Sequence, residues 1–295
     1  MIARISMIVL IAFGISAHAA TLRFSPTYAY SPCTCVIFVM DDLNDDGVNN
    51  VELATMDYFI SKNLPFTASI IVSKLANSSD LSVFHKIEEG VQKGLFEIAI
   101  HGYRHIDHSL MTKEEQKADL SAANVRLEDL FGKRSDIFIP PNDAFNPHTL
   151  EAMADLNITL FSTSDNSEKI TTNPYKSQSL VVTNNSRLEV SKVSDQKPLI
   201  YHAPFSVSFL SFHRRGLFGD GLVEESLKRI NKSISLYGYA QVKLHPSDFS
   251  QINATNGKPI NEVNNTRFQE LTRLVDSLEG RNITIASFSN IYPHS

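Results

Sequence analysis

The chain has 295 residues, 42% of them hydrophobic and 20% charged, with 12 Gly and 12 Pro. That mixture excludes collagen-like, coiled-coil and wholly disordered chains, and the length suffices for one barrel-sized α/β domain. A net charge of −5 and a pI near 6.1 leave no global basic field to hold nucleic acid.

Arg4 precedes an apolar run from Ile5 to Ile15, and Ala17-His18-Ala19 has the small-x-small form of a cleavage site. The run is short for a bilayer. A signal peptide over 1–19, an N-terminal segment over 20–34, a secreted mature protein and no stable membrane anchor are therefore expected. Seven Asn-x-Ser/Thr acceptors, at Asn77, Asn157, Asn184, Asn231, Asn253, Asn264 and Asn282, fit a secreted glycoprotein. Cys33 and Cys35 are too few for a disulfide scaffold, and a bond across one residue would be strained, so two buried thiols are expected.

From Cys35 onward, short apolar runs alternate with helical patterns. Cys35–Met40 reads as a buried strand and Val51–Ser61 as a helix with Leu53, Met56, Phe59 and Ile60 on one side. Strands follow at 66–72 and 96–100, separated by a helix over 81–93 that Gly94 stops. Thr112 and Glu115 form a capping box for a helix ending near Gly132. Strands at 137–139 and 158–162 flank a helix that Pro147 opens. Residues 163–197, polar and rich in Ser, Thr and Asn, read as a loop or irregular insertion. A strand at 199–202, a helix at 223–236, a strand at 239–244, a helix at 268–278 and a strand at 283–288 complete the chain. Such alternation predicts parallel strands with crossover helices, in a distorted or incomplete barrel over 35–290.

Chemistry-bearing residues gather where strands end. Asp41 and Asp42 follow the first strand, His101 the third with His105 four residues on, Asn142 the fourth, and His245 the seventh. In parallel barrels the C-terminal strand ends converge on one mouth. Asp42, His101 and His105 offer one carboxylate and two imidazoles to a divalent ion, zinc first, with cobalt, nickel or manganese also compatible. Adjacent strand residues point apart, which lets Asp41 act as a general base beside that ion while His245 protonates a leaving group. His108 reads as a turn residue or a support for the ligands.

Met40-Asp41-Asp42, His101-Gly-Tyr-Arg-His105, Phe138-Ile-Pro-Pro-Asn142 and Leu244-His245-Pro246 together resemble the NodB-like polysaccharide deacetylases, carbohydrate esterase family 4. The resemblance implies an α/β fold of the distorted (β/α)7 barrel type and hydrolysis of N- or O-acetyl groups on a polysaccharide or oligosaccharide. It assigns Asp41 as base, Asp42, His101 and His105 as metal ligands, and His245 as acid. Two positions depart from the family pattern: Phe138 stands where an Arg usually pairs with the base. Pro141 stands where a Tyr lends its amide to the oxyanion, and it has no N–H, so Asn142 is the candidate replacement.

Three other readings compete. Asp42-Leu-Asn44-Asp-Asp46-Gly47 matches the opening of an EF-hand loop, but position twelve is Leu53 and a strand precedes it. No G-x-S-x-G elbow supports a serine hydrolase. A catalytically inactive glycan-binding protein on the same scaffold is the remaining alternative, one that need not keep both Asp41 and His245. Phe205, Phe209, Phe212 and Phe218 are candidates for a sugar platform or for the core.

Overall fold

The computed structural model describes residues 33–164, 176–183 and 186–292, with the backbone only for 176–183, 186 and 187. The expected leader over 1–19, most of the segment over 20–34 and the acceptor Asn184 lie outside these residues.

β1 (Cys35–Leu43), β2 (Phe66–Ile70), β3 (Phe96–Ile100), β4 (Ile137–Phe138) and β5 (Leu160–Phe161) lie side by side in chain order and parallel. Their crossovers are α1 (Asn49–Ser61), α2 (Ser82–Gln92), α3 (Lys113–Phe131) and α4 (Pro147–Asp155). β6 (Lys176–Thr183) and β7 (Ser186–Ser191) form an antiparallel hairpin that joins the sheet through β8 (Ile200–His202), which is parallel to β5. β9 (Val207–Ser208), α5 (Phe209–Arg214) and α6 (Gly219–Tyr237) lead to β10 (Tyr239–Leu244), which returns to the far side of β1. β11 (Ser250–Ile252) pairs with β12 (Pro259–Val263) as a separate hairpin, α7 (Asn265–Glu279) follows, and β13 (Thr284–Ala286) pairs with the start of β1. The sheet order β6-β7-β8-β5-β4-β3-β2-β1-β10-β9 is a curled sheet, parallel from β8 to β9 and antiparallel at its β6–β7–β8 edge, an incomplete barrel rather than a closed one.

Period-two alternation explains how this sheet is held. In β1, Val36, Phe38 and Met40 enter the core beneath the helices, while Cys35, Ile37 and Val39 enter a second, inner cluster with Tyr239, Phe288 and Tyr292. A strand buried on both faces reads as a continuous apolar run. Phe38, Phe59, Phe66 and Phe96 stack in series at centroid distances of 5.3, 4.7 and 5.1 Å, each contact adding ~0.5–1.5 kcal/mol beyond burial. α2 lies so close to this column that a Cβ at Gly90 would stand 2.1 Å from the Phe96 ring. The Thr112–Glu115 capping box forms at the start of α3, and Gly132 ends that helix in the left-handed conformation at φ 67°.

Two sequence expectations are corrected. The 163–197 segment contains a β-hairpin: Leu180, Val181 and Val182 are β-formers, and cross-strand ladders outweigh the polar composition. Cys33 and Cys35 form a disulfide instead of two thiols. Thr34, between them, has φ 46°, and this turn brings the two Cα atoms to 5.1 Å, inside the range a disulfide spans.

Candidate metal centre and active site

Asp41 continues the inward series of β1 and is fully buried. Regular alternation would turn Asp42 outward. Instead Asp42 takes φ 65°, and the β1–β2 register shifts between Met40 and Leu43, so Asp42 also faces the mouth. Its Oδ1 lies 3.3 Å from His101 Nε2 and 3.1 Å from His105 Nε2. His101 leaves the end of β3, and His105 follows in a loop with φ 21°.

One ligand atom from each of Asp42, His101 and His105 lies within 4.8 Å of the others. Two ligands ~2.1 Å from one ion, at tetrahedral or octahedral angles, stand about 3.0–3.4 Å apart. These separations therefore fit a divalent cation. Asp42 Oδ1 is buried without a hydrogen-bond partner, and His101 Nδ1 donates to the Ile139 carbonyl at 2.8 Å. That bond fixes the tautomer whose Nε2 lone pair points at the centre. The oxygen-and-two-imidazole set suits zinc, cobalt, nickel or manganese.

Asp41 has neither oxygen hydrogen-bonded, yet Lys243 Nζ is 3.4 Å away and His245 Nε2 4.0 Å away. Lys243 was not anticipated from the sequence. It sits on β10 in register with Val39, two residues before His245 and on the same face. Its Nζ also donates to Asp143 Oδ1 at 2.9 Å and lies 4.2 Å from the Phe205 ring centroid. Burial works against the carboxylate of Asp41, but His101, Lys243 and His245 outweigh it and hold the acid below its usual range. Phe138, where the family pattern puts an Arg, is fully buried against His108 and Phe161. The cation beside the base arrives instead from β10, on the side of β1 away from β4.

His245 begins a short turn after β10, its backbone N–H donating to Asp248 Oδ2 at 2.8 Å and its Nδ1 lying 3.8 Å from the same oxygen. Buried Asp248 in turn meets His213 Nδ1 at 3.5 Å, and His213 Nε2 contacts Glu270 at 2.8 Å. Burial opposes charge on His245, but Asp248 and then Asp41 overcome it and raise its pKa. These carboxylates favour the protonated imidazole, whose Nε2 is turned to Asp41.

These groups open into one cleft of about 1260 Å³, which Asn142 also lines. Asn142 holds φ 58° and ψ 18° in the turn after β4. The sequence expectation thus brings Asp41, Asp42, His101, His105, Asn142 and His245 into one cavity. His108 stays apart, fully buried with Nε2 3.4 Å from Asp119. Of the four phenylalanines, Phe209 and Phe212 are core, Phe212 also bordering the cleft with Phe205, and Phe218 is exposed.

The EF-hand reading does not assemble. Asp42 faces the histidines, Asn44 spends its side chain on Asp42 O and Asp46 N, and Asp45 accepts from the amides of Ala76 and Phe84. Glu52, 1% exposed, is pushed up to about 9, first by burial and then by Asp45. It therefore remains protonated while the unfolded chain releases its proton, so it lowers stability progressively as pH rises from the unfolded value toward about 9. Glu52→Gln is expected to gain stability over the native chain, by about 1 kcal/mol or more between about pH 5 and about pH 8. Denaturant melts at the two pH values check this; an advantage that does not grow with pH would refute it.

Residues 35–161 match the sequence profile of the polysaccharide deacetylase family. No curated protein matches the chain by sequence. Among solved structures, a candidate polysaccharide deacetylase of Mycobacterium smegmatis is similar at TM-score 0.60 and 17% identity, over 87% of this chain and 88% of that one. A peptidoglycan N-acetylglucosamine deacetylase bound to a hydroxamic acid is similar at TM-score 0.55 and 11% identity, over 89% of each chain. A CE4-family pseudoenzyme of Bacillus anthracis is similar at TM-score 0.53 and 12% identity, over 88% of this chain and 65% of that one, so this chain spans about two thirds of its length. A mutant described as restoring enzymatic activity to the pseudoenzyme matches at TM-score 0.54. Residues 35–161 thus carry the sequence profile of the polysaccharide deacetylase family, and the fold is that of the NodB-like deacetylases of carbohydrate esterase family 4.

Proposed function

We propose that the protein is a secreted, metal-dependent deacetylase that hydrolyses N-acetyl, or O-acetyl, groups of a polysaccharide. The observation that carries this reading is the meeting, in one cleft, of a three-ligand cation set, a buried carboxylate held below its usual pKa and an imidazole whose pKa its carboxylate neighbours raise. Asp42, His101 and His105 would hold the ion. A divalent ion so held supplies Lewis-acid polarisation of the acetyl carbonyl and makes a neighbouring water more acidic. Asp41 accepts a proton from the attacking water, whose oxygen adds to the acetyl carbon. Asn142, at the cleft wall, donates toward the carbonyl oxygen as negative charge grows there, in place of the amide that Pro141 lacks. His245 passes its proton to the departing nitrogen or oxygen as the bond to the acetyl carbon breaks, and acetate leaves. Lys243 keeps Asp41 ionised between turnovers. A glycan-binding role without turnover would need none of these charge states.

Secretion is part of the same proposal. A disulfide at Cys33–Cys35 fits an oxidising compartment, and the acceptors Asn77, Asn157, Asn231 and Asn282 are exposed.

The test is metal content of the purified chain beside a His101→Ala/His105→Ala variant. About one transition-metal ion per chain, lost in the variant, is the expected result. No metal in the native chain after incubation with zinc or cobalt would sink the mechanism.

A further inference from the structure

The charges on the floor of the cleft cancel among themselves. Asp42 belongs to the cation set, Asp41 and Asp143 flank Lys243, and Asp248 lies between His213 and His245. The wall built by α5, α6 and α7 is different. Arg214, Arg215, Arg229 and Arg267 all line the same cleft. Arg229 is paired with Glu225 at 2.9 Å. Among the described residues, Arg214, Arg215 and Arg267 show no carboxylate at ion-pair distance.

The guanidinium groups of Arg215, Arg229 and Arg267 are also held in place. Arg215 and Arg229 lie 5.1 and 5.0 Å from the centroid of the Phe212 ring, which is fully buried and therefore fixed. Arg267 lies 5.5 Å from the Phe218 ring, itself stacked on His213 at 5.1 Å. Arg215 Nε donates to the Ser211 carbonyl at 3.2 Å, which leaves its terminal nitrogens free of that bond. A guanidinium stacked on an aromatic face loses little further freedom when it binds, and its planar fork matches carboxylate or phosphate oxygens. Arg215 and Arg267, two oriented cations without a carboxylate at ion-pair distance, and exposed Arg214 beside them, in a chain whose net charge is −5, favour an anionic ligand over a general affinity for polyanions.

We infer that the cleft takes an anionic acetylated glycan, one whose units flanking the acetylated sugar carry carboxylate or phosphate groups that the Arg214, Arg215 and Arg267 wall reads. This rests on the deacetylase reading for the acetyl group and adds the chemistry of its neighbours. A neutral chitin-type oligomer fills the same floor but leaves the three guanidinium groups facing water.

Fluorescently labelled hexasaccharides bound to the full chain test the inference. The probes are a hyaluronan hexasaccharide, which alternates N-acetylglucosamine with glucuronate, a neutral N-acetylglucosamine hexamer, and the same hexamer joined by phosphodiester links. The anionic probes are expected to bind about tenfold or more tighter than the neutral one, with the preference shrinking as salt rises. In an R214Q/R215Q/R267Q variant the ratio of anionic to neutral affinity falls toward unity. A single R214E variant, at an exposed position, reverses the sign of one contact and is expected to lower the ratio as well. Which anionic probe binds better names the group that the wall reads. Equal binding of neutral and anionic probes, or a ratio unmoved by the substitutions, overturns the inference. Acetate release separates it from the underlying reading. A metal-loaded chain that releases acetate from no probe but keeps the charge preference refutes the deacetylase activity alone. Turnover of the neutral hexamer with no charge preference refutes the anionic substrate alone.

Discussion

Asp41→Asn is expected to retain the native metal content and to lower acetate release by about 10²–10⁴-fold, the usual contribution of a positioned general base. The substitution keeps side-chain size at a fully buried position and leaves Asp42, His101 and His105 untouched. Lys243 keeps a carboxylate partner in Asp143 at 2.9 Å, so the fold should survive the loss of one charge. Metal analysis and single-turnover acetate release on the same preparation separate the two effects. Turnover within about threefold of native would show that Asp41 is not the base. A loss of metal in parallel with activity would place Asp41 among the ligands instead.

Lys243→Met should be costly in a different way. Methionine approximates the lysine stem but leaves Asp41 and Asp143 facing each other without their shared cation. Removing one partner of a buried ion pair typically destabilises by about 3–5 kcal/mol. Lys243 also helps to hold the Asp41 pKa down, so its loss raises that pKa and moves the acidic limb of the pH–rate profile to higher pH. Lys243→Arg keeps the charge and should restore most of the stability and the native limb. Thermal melts and pH–rate profiles of both variants check this pair of expectations. An unshifted limb in Lys243→Met would mean that the ammonium does not control the base.

The sheet was largely legible because its strands obey period two and its helices carry end signals. β3 and β10 have the predicted bounds, and Thr112, Gly132 and Pro147 mark helix ends where expected. The β6–β7 hairpin was hidden by its Ser, Thr and Asn content, since its stability comes from pairing along β8 rather than from local composition. α5 has six residues, too few to reveal a helical period. Asp41, Asp42, His101, His105 and His245 could be read because each follows a strand directly. Lys243 could not be assigned in the same way, because its partner depends on β10 lying beside β1, a non-local fact. Its signal was nonetheless present: a lone cation inside Tyr239-Ala-Gln-Val-Lys-Leu244, in phase with His245. The disulfide was missed for a related reason, since the distance between Cys33 and Cys35 depends on the backbone angle at Thr34.

The left-handed backbone at Asp42 couples two parts of the site that chemistry treats as separate. Among residues with a Cβ, Asp and Asn tolerate that conformation best, while β-branched residues resist it. A β-branched replacement at position 42 would relax the bulge, turning the peptide plane that precedes it and, with it, the direction in which Asp41 leaves the strand. Neighbouring position 41 imposes no such restriction, for it lies in ordinary extended backbone. Inheritance of the site is therefore lopsided. On the proposed roles, a lineage would abandon turnover by one change at position 41 and keep its ion, but a β-branched change at position 42 would disturb ligand and base together.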